Sequence, residues 1–177
     1  MNKLSLKKLI KEEIEKLILE TELMLGELLN PDYAFDYTKK SKNHYEYVDS
    51  NGVTFFVKAT YQPIKWDNDN ERYFEFKTGW IDENDKPIYE PSTPPYGDKR
   101  SSAIDLDKRA DTVAKIYKDE ILPFFEKQQL SNIMVIKPIS LSRRRFAEML
   151  VNKFTPLDKF KISYEGTMII IEKDRKS

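Results

Sequence analysis

The chain has 177 residues, no cysteine, and 30 basic against 30 acidic side chains, so its formal net charge is zero. The missing cysteines exclude disulfides, thiolate metal sites and cysteine nucleophiles, and zero net charge disfavours binding to nucleic acid or an anionic membrane through overall charge. With 40% apolar and 34% charged residues, we expect a soluble globular protein large enough to bury a core.

Residues 1–30 are predicted to form an amphipathic N-terminal helix outside a single domain at 31–177. The residues expected to contact a partner repeat at helical spacing: Ile10, Ile14, Leu17, Met24 and Leu28. Asn30-Pro31 predicts the helix end, because a residue before proline disfavours the helical conformation. We interpret the segment as a docking or oligomerising helix. Its many glutamates disfavour a membrane-surface helix, and no apolar run in the chain approaches the roughly 20 residues that span a bilayer.

Residues 32–43 are predicted to be an irregular connection, followed by three strands. The stretch "HYEYVDSNGVTFFVKATY" predicts a hairpin around Asn51-Gly52 with a type I′ turn, which requires positive φ at both positions. Alternation in "RYFEFKTGWI" predicts the third strand. The aromatic side chains of these strands form either the core or, as an alternative, a base-stacking surface for single-stranded nucleic acid.

Residues 82–102 are predicted to form a Pro-rich loop, since they contain Pro87, Pro91, Pro94 and Pro95 without periodicity. Loops of this length are typically functional or mobile. The sequence "PSTPPY" favours polyproline II, a conformation that protein partners recognise. A passive connection is an equally open alternative.

The densest apolar pattern lies in residues 105–173. Ala110, Val113, Tyr117, Ile121 and Phe124 predict a long helix, which Pro123 should kink or end. "NIMVIKPI" predicts a strand buried on both faces, followed by a short helix capped by Ser140 or Ser142. "KFKISYE" and "TMIIIEK" predict a closing hairpin around Gly166.

The predicted fold class is therefore α+β. We expect a mixed or antiparallel sheet of about five to six strands with helices on one face. The N-terminal helix either packs on this domain or protrudes from it.

The candidate anion-binding site consists of Ser142, Arg143, Arg144 and Arg145, which open the short helix. Free N–H groups at a helix start, the positive end of the helix dipole and guanidinium groups together favour phosphate or carboxylate. Successive helical residues point about 100° apart, so at most two of the arginines can converge on one anion. The alternative is that these arginines are surface charges paired with glutamates.

A weaker candidate is Glu75 with Lys77 on a predicted strand and Asp32 upstream, a pattern that loosely resembles the PD-(D/E)xK nucleases. That chemistry needs two carboxylates around magnesium, and here a whole predicted hairpin separates them. His44 is the only histidine, which leaves zinc poorly supported. We expect no catalytic residue, no metal and no cofactor.

Two parts of the chain resemble phage proteins. The opening "LSLKKLIKEEIEKLILE" is similar to leader segments of large tailed phages, some of which direct a protein into the prohead before cleavage after an apolar-x-Glu triplet. Ile18-Leu19-Glu20 fits that triplet. The order of elements over 45–173, including "DEILPFFEK" and "SRRRFAEML", resembles a group of uncharacterised tailed-phage proteins. This resemblance implies a viral protein located in the virion or the host cytoplasm.

The favoured hypothesis is a non-enzymatic phage protein that acts through protein–protein contacts and is virion-associated or assembly-related. Its partners would be phage structural or assembly proteins, or a second copy of the chain. The first alternative is a nucleic-acid-binding or host-modulating protein that uses the arginines at 143–145. The second alternative is a metal-dependent nuclease.

Overall fold

The computed structural model describes residues 29–63, 72–89, 103–138 and 141–174, without the side chains of 103–105 and 141–142. The predicted N-terminal helix up to residue 28 and residues 90–102 of the predicted Pro-rich loop lie outside the described residues. Within the described ranges, no helix combines the length and apolar character needed to cross a bilayer.

The described elements are eight strands, two helical regions and a short 3-10 turn at Pro31–Tyr33. The strands are β1 (Tyr37–Ser41), β2 (His44–Val48), β3 (Thr54–Pro63), β4 (Arg72–Ile81), β5 (Pro87–Tyr89), β6 (Ile133–Ile136), β7 (Phe160–Glu165) and β8 (Met168–Lys173). The first helical region consists of α1 (Ala103–Ile116), a π-helical turn (Tyr117–Ile121) and α2 (Leu122–Lys127), and the second is α3 (Leu141–Phe154).

The strands form one mixed sheet in the order β1-β2-β3-β4-β6-β8-β7, with β5 paired to β4 beside this path. Only β4 and β6 are parallel; the other pairs are antiparallel. The α+β prediction is confirmed, but the count of five to six strands was too low. The sequence analysis missed β1, which lies in the region predicted to be irregular, and β5, which lies inside the predicted loop at 82–102.

For each of these two strands there is a physical reason why its sequence shows no apolar alternation. β1 reads "YTKKS" and is an edge strand whose residues are mostly exposed, so it needs no apolar alternation. β5 has three residues and follows a tight turn in which the carboxylate of Asp82 accepts hydrogen bonds from the N–H groups of Asn84 and Lys86. Residues 87–89 are extended because this turn precedes them and because they pair with β4.

The sheet forks along one edge of β4. β3 occupies the other edge over the whole length of β4. On the forked edge, β6 pairs with residues 74–76 and β5 pairs with residues 79–81. Lys77 and Thr78 lie between these two pairings. β4 therefore has a gap in its strand pairing at the point where the parallel strand β6 ends.

The helices pack on one face of the sheet, and the core lies between them. Every second side chain of β3 and β4 faces this layer and joins helix residues in one apolar cluster. Fully buried members of the cluster are Val57, Phe74, Met134, Ile169, Ile171, Ile116, Tyr117, Ile121, Phe125 and Leu150. Alternate strand residues such as Phe56 and Glu75 lie on the opposite face of the sheet.

The predicted long helix continues past Pro123. A proline has no N–H to donate, and the N–H of Leu122 bonds to the carbonyl of Tyr117, five residues earlier, which widens the turn before it. Such π-helical turns accommodate a residue that would otherwise break the helix. The same turn places Glu120 where its carboxylate accepts hydrogen bonds from the hydroxyls of Tyr45 at 3.0 Å and Tyr37 at 3.3 Å.

The predicted type I′ turn at Asn51-Gly52 is wrong. Of these two residues only Gly52 has a positive φ, at 81°. The carboxylate of Asp49 accepts hydrogen bonds from the N–H groups of Asn51 and Val53, and the N–H of Gly52 bonds to the carbonyl of Asp49. This side chain stabilises a longer loop in which Asn51 has no need of the left-handed conformation.

The first described residues, Leu29 and Asn30, lie beside the helices. The N–H of Asn30 donates to the Asp111 carboxylate at 2.7 Å, and the ammonium of Lys153 donates to the carbonyl of Leu29 at 2.9 Å. Burial raises the pKa of Asp111, although its hydrogen bond from Asn30 acts in the opposite direction. These contacts hold the start of the domain against α1 and α3.

Candidate functional site

A cavity of about 510 Å³ lies at the fork between β5 and β6. Its walls come from β4, the end of β6, Tyr47 of β2, Phe55 of β3, Tyr89 of β5 and one side each of α1 and α3. The lining side chains come from both faces of the sheet, because the gap in strand pairing at Lys77 and Thr78 opens the sheet there. The chain topology therefore produces the cavity.

The carboxyl end of the parallel strand β6 borders the cavity. In α/β sheets, ligands commonly bind beyond the carboxyl ends of parallel strands. β6 ends at Ile136, and α3 begins at Leu141, so the start of α3 lies beside this end of the strand. The positive end of its helix dipole adds a positive electrostatic potential.

The charged side chains that line the cavity are mostly cationic. Among the described residues they are Lys77 of β4, Arg109 of α1, Lys137 after β6, Arg143 of α3 and a single carboxylate, Glu75 of β4. The lining thus carries a net charge of three positive units, although the whole chain is neutral. Walls of low dielectric constant concentrate such a potential within the cavity.

Glu75 is held between two of these cations. Its carboxylate is 2.6 Å from the ammonium of Lys77 and 3.2 Å from that of Lys137, and the residue is only 6% exposed. Lys137 also donates a hydrogen bond to the hydroxyl of Tyr73 at 2.7 Å. Burial lowers the pKa of Lys137, but the bonds to Tyr73 and Glu75 outweigh it, so the pKa is raised and the side chain stays charged.

Arg109 is oriented by the apolar wall. The guanidinium carbon of Arg109 lies 4.7 Å from the centroid of the Phe55 ring, whose neighbour Tyr47 stacks at 5.5 Å. A guanidinium above an aromatic face is held by the ring quadrupole while its edge remains able to donate hydrogen bonds. The remaining wall is formed by Phe76, Val113, Ile136, Phe146, Ala147 and Leu150.

The structure separates the three predicted arginines. Arg143 lines the cavity, whereas Arg144 forms an ion pair with Glu148 at 2.8 Å along the helix. Arg145 is not among the described lining residues. Ser142 is the second residue of α3, so it is not the residue that precedes the helix, and its side chain lies outside the described part.

Sequence reasoning missed Arg109, Lys137 and Tyr89 as site residues. Lys77 was noted only as part of the nuclease pattern. No local motif connects these residues, because each belongs to a different element. They are brought together only by the parallel pairing of β4 with β6 and by the fork.

The two carboxylates of the nuclease hypothesis do not come together. Asp32 belongs to the 3-10 turn that packs on α1, on the helical side of the sheet. Glu75 points to the opposite face, where its neighbours are lysines. Among the described residues, no group of three or more His, Asp or Glu side chains has a metal-binding arrangement. The geometry therefore gives this hypothesis no support.

His44 lies on β2 and outside the cavity lining. Its ring meets Phe56 edge to face, with centroids 6.0 Å apart, and its Nε2 is 3.3 Å from the Glu46 carboxylate. Burial lowers the pKa of His44 despite the nearby Glu46. We interpret it as a packing residue on the face of the sheet opposite the helices.

A second cavity of about 730 Å³ lies beside β7 and β8. Its charged lining consists of Lys161, Lys173, Glu172 and Asp174. Two lysines and two carboxylates give no net preference for an ion of either sign, so this cavity is a weaker candidate than the one at the fork.

No protein-family model, curated protein or solved structure matches this chain. Its function is therefore inferred from the residues that line the fork cavity.

Proposed function

We propose that this protein binds a small anionic ligand in the fork cavity. The observation that carries the proposal is the convergence of Lys77, Arg109, Lys137 and Arg143, each from a different segment, on one cavity with a single carboxylate. Several cations beside one carboxylate give the cavity a positive potential, which favours a ligand of opposite charge. Arginine forks and lysine ammonium groups are the usual ligands of phosphate and carboxylate oxygens.

The shape of the site favours a small molecule over a nucleic-acid backbone. Arg143 lines a cavity, and Arg144 is engaged by Glu148 on its own helix. The arginines at the start of α3 therefore do not act as one exposed basic patch, which a nucleic acid would require.

The hypothesis of a phage protein that acts through protein contacts remains a separate proposal. It depends on the helix predicted at 1–30 and the Pro-rich loop, most of which lie outside the described residues. A ligand-binding domain is compatible with that hypothesis and does not depend on it.

The substitution Arg143→Gln is expected to weaken the binding of pyrophosphate about tenfold or more, because a charge-assisted hydrogen bond contributes about 1.5–3 kcal/mol. Isothermal titration calorimetry at low ionic strength measures the dissociation constant. Arg144→Gln is the matched control, since it removes the adjacent positive charge outside the cavity. An equal loss in both variants, or no binding of pyrophosphate to the unmodified chain, would contradict the proposal.

The substitution Glu75→Gln is expected to tighten pyrophosphate binding about threefold to tenfold, because it removes a repulsion on the order of 1 kcal/mol. It also releases the ammonium groups of Lys77 and Lys137 from their carboxylate partner. The same calorimetric titration checks the change, with circular dichroism to establish that the variant is folded. Weaker binding by a folded variant would mean that Glu75 serves to position the lysines for the ligand.

A further inference from the structure

We propose that two copies of this chain associate through β7, which pairs antiparallel with β7 of the second copy and joins the two sheets. The proposal does not depend on the fork cavity, because β7 contributes no residue to its lining. Three observations carry it: an open sheet edge, main-chain groups that select one register, and side-chain charges that complement each other in that register.

β7 is the terminal strand of the sheet, and within the described part of the chain no strand pairs with its outer edge. The edge strand at the other end, β1, is short, carries two lysines and has an irregular register with β2. Such features protect an edge from pairing with another chain. β7 has a regular register over all six residues and contains no proline, so it lacks most of this protection.

The main-chain groups of Ile162 and Tyr164 point to this outer edge. The N–H of Asp174 donates to the carbonyl of Lys159 at 2.9 Å, so Lys159 faces β8. Because main-chain groups alternate along a strand, the odd-numbered residues of β7 also face β8 and the even-numbered residues face outward. Within the described part of the chain, the outward N–H and C=O groups of Ile162 and Tyr164 have no hydrogen-bond partner.

These groups select one register for a two-fold antiparallel pair. Placing Ile162 opposite Tyr164 of the second copy satisfies all their outward groups with four hydrogen bonds, two on each side of the axis. A register centred on Ile162 would need the N–H of Phe160, which is already bonded to the carbonyl of Pro156. A register centred on Tyr164 would need Gly166, which belongs to the turn.

The side-chain charges agree with the selected register. It places Lys161 opposite Glu165 of the second copy, and the two-fold axis repeats this pair. Opposite charges that face each other across two strands stabilise their pairing. Both side chains are exposed, and neither forms an ion pair within the described part of the chain. Lys161 is also opposite Glu172 of β8, so in the dimer it lies between two carboxylates.

The space beside β7 admits another strand. The second cavity, of about 730 Å³, is lined by Ile162 and Tyr164 from the helical face of the sheet and by Lys161 from the other face, so it borders the edge. Tyr164 is 45% exposed, and Leu157 in the same lining is 72% exposed. Pairing brings Ile162 beside Tyr164 of the second copy, an aromatic–aliphatic contact that covers part of this surface.

Analytical ultracentrifugation of the full chain measures the association. We expect a monomer at about 1 µM and a dimer fraction that grows toward about 1 mM, because an interface of one strand from each copy belongs to the small, weakly associating class. A chain that stays monomeric over this range would overturn the inference and leave the edge to a strand from another protein.

The variants Lys161→Glu and Glu165→Lys should each weaken dimerisation about tenfold or more at low ionic strength, because both opposite-charge pairs become like-charge pairs. Lys118→Glu is the matched control. It makes the same charge change at an exposed position of the π-helical turn, whose Glu120 contacts β1 and β2 at the other end of the sheet. An equal loss in this control, or no loss in the two folded β7 variants, would overturn the inference.

A mixture of the Lys161→Glu and Glu165→Lys chains tests the register. In a mixed dimer both facing pairs again join opposite charges, so the mixture should dimerise about as tightly as the unmodified chain. Damage to the fold of either variant cannot produce this restoration. A mixture that associates no better than its two components would overturn the antiparallel register and the inference with it.

The Tyr164→Pro variant tests the main-chain pairing. It removes an N–H that points away from the hairpin, a position where an edge strand tolerates proline, so the variant should fold but lose dimerisation. Tyr164→Ala is the control that removes the same side chain and keeps the N–H, and it should dimerise more tightly than Tyr164→Pro. Dimerisation that survives Tyr164→Pro would place the contact elsewhere, such as the helix predicted at 1–30, and overturn the inference.

Discussion

Replacing Phe74 with alanine is expected to lower the free energy of unfolding by about 3–5 kcal/mol. Phe74 is the third residue of β4 and is fully buried. Its ring centroid is 5.1 Å from that of Tyr61, 5.6 Å from Phe124 and 5.9 Å from Phe125. The loss combines the lost transfer of the ring from water with a void that these neighbours, held by strand and helix, fill only partly.

Chemical denaturation followed by circular dichroism measures this loss. A domain of ordinary size has a free energy of unfolding of about 5–15 kcal/mol, so the variant should unfold at a much lower denaturant concentration. Val48→Ala is the control, because Val48 is 52% exposed, and its effect should stay within about 0.5 kcal/mol. A loss below about 1 kcal/mol for Phe74→Ala would contradict a rigidly packed centre between sheet and helices.

Replacing Gly79 with alanine is expected to destabilise the protein by about 3 kcal/mol, the upper end of the usual cost of overpacking. A Cβ at this position would overlap the carbonyl oxygen of Ile88 and the ring of Phe56. The first is a main-chain atom of β5, which pairs with β4 at Gly79. The chain can therefore accept the methyl group only if β5 moves away from β4, which would distort the fork.

A second variant distinguishes the two sources of the overlap. Gly79→Ala combined with Phe56→Leu removes the ring contact but retains the carbonyl of Ile88, so it should recover only part of the loss. Thermal unfolding and pyrophosphate titration at a temperature where the variants are folded measure stability and site integrity separately. Unchanged stability and unchanged binding in Gly79→Ala would show that the fork tolerates a wider spacing.

Much of the fold was predictable because burial leaves a local pattern. Successive side chains of β3 and β4 point alternately toward the helices and toward the opposite face of the sheet, and β6 is mostly buried, so each strand has the residue pattern of its environment. The sequences of β1 and β5, which were not predicted, contain no such burial pattern. β1 is an exposed edge, and the three residues of β5 owe their extended conformation to the turn at Asp82 and to pairing with β4.

One local prediction failed because a side-chain contact replaced the expected turn. Asp49 accepts the hydrogen bonds that organise the hairpin loop, so Asn51 does not adopt the predicted left-handed conformation. The helix was predicted to kink or end at Pro123; it does not end there, and a π-helical turn distorts it just before the proline.

Local patterns predicted the fold class, the central strands, the apolar faces of the described helices and one residue of the candidate site, Arg143, because each has a signal within a few neighbouring residues. Long-range strand pairing places Arg143 in one cavity with Arg109, Lys77 and Lys137 and leaves Arg144 outside its lining. The physical reason is that the cavity exists where β5 and β6 divide one edge of β4 between them. That division is a property of strand pairing between distant segments, and no single segment encodes it.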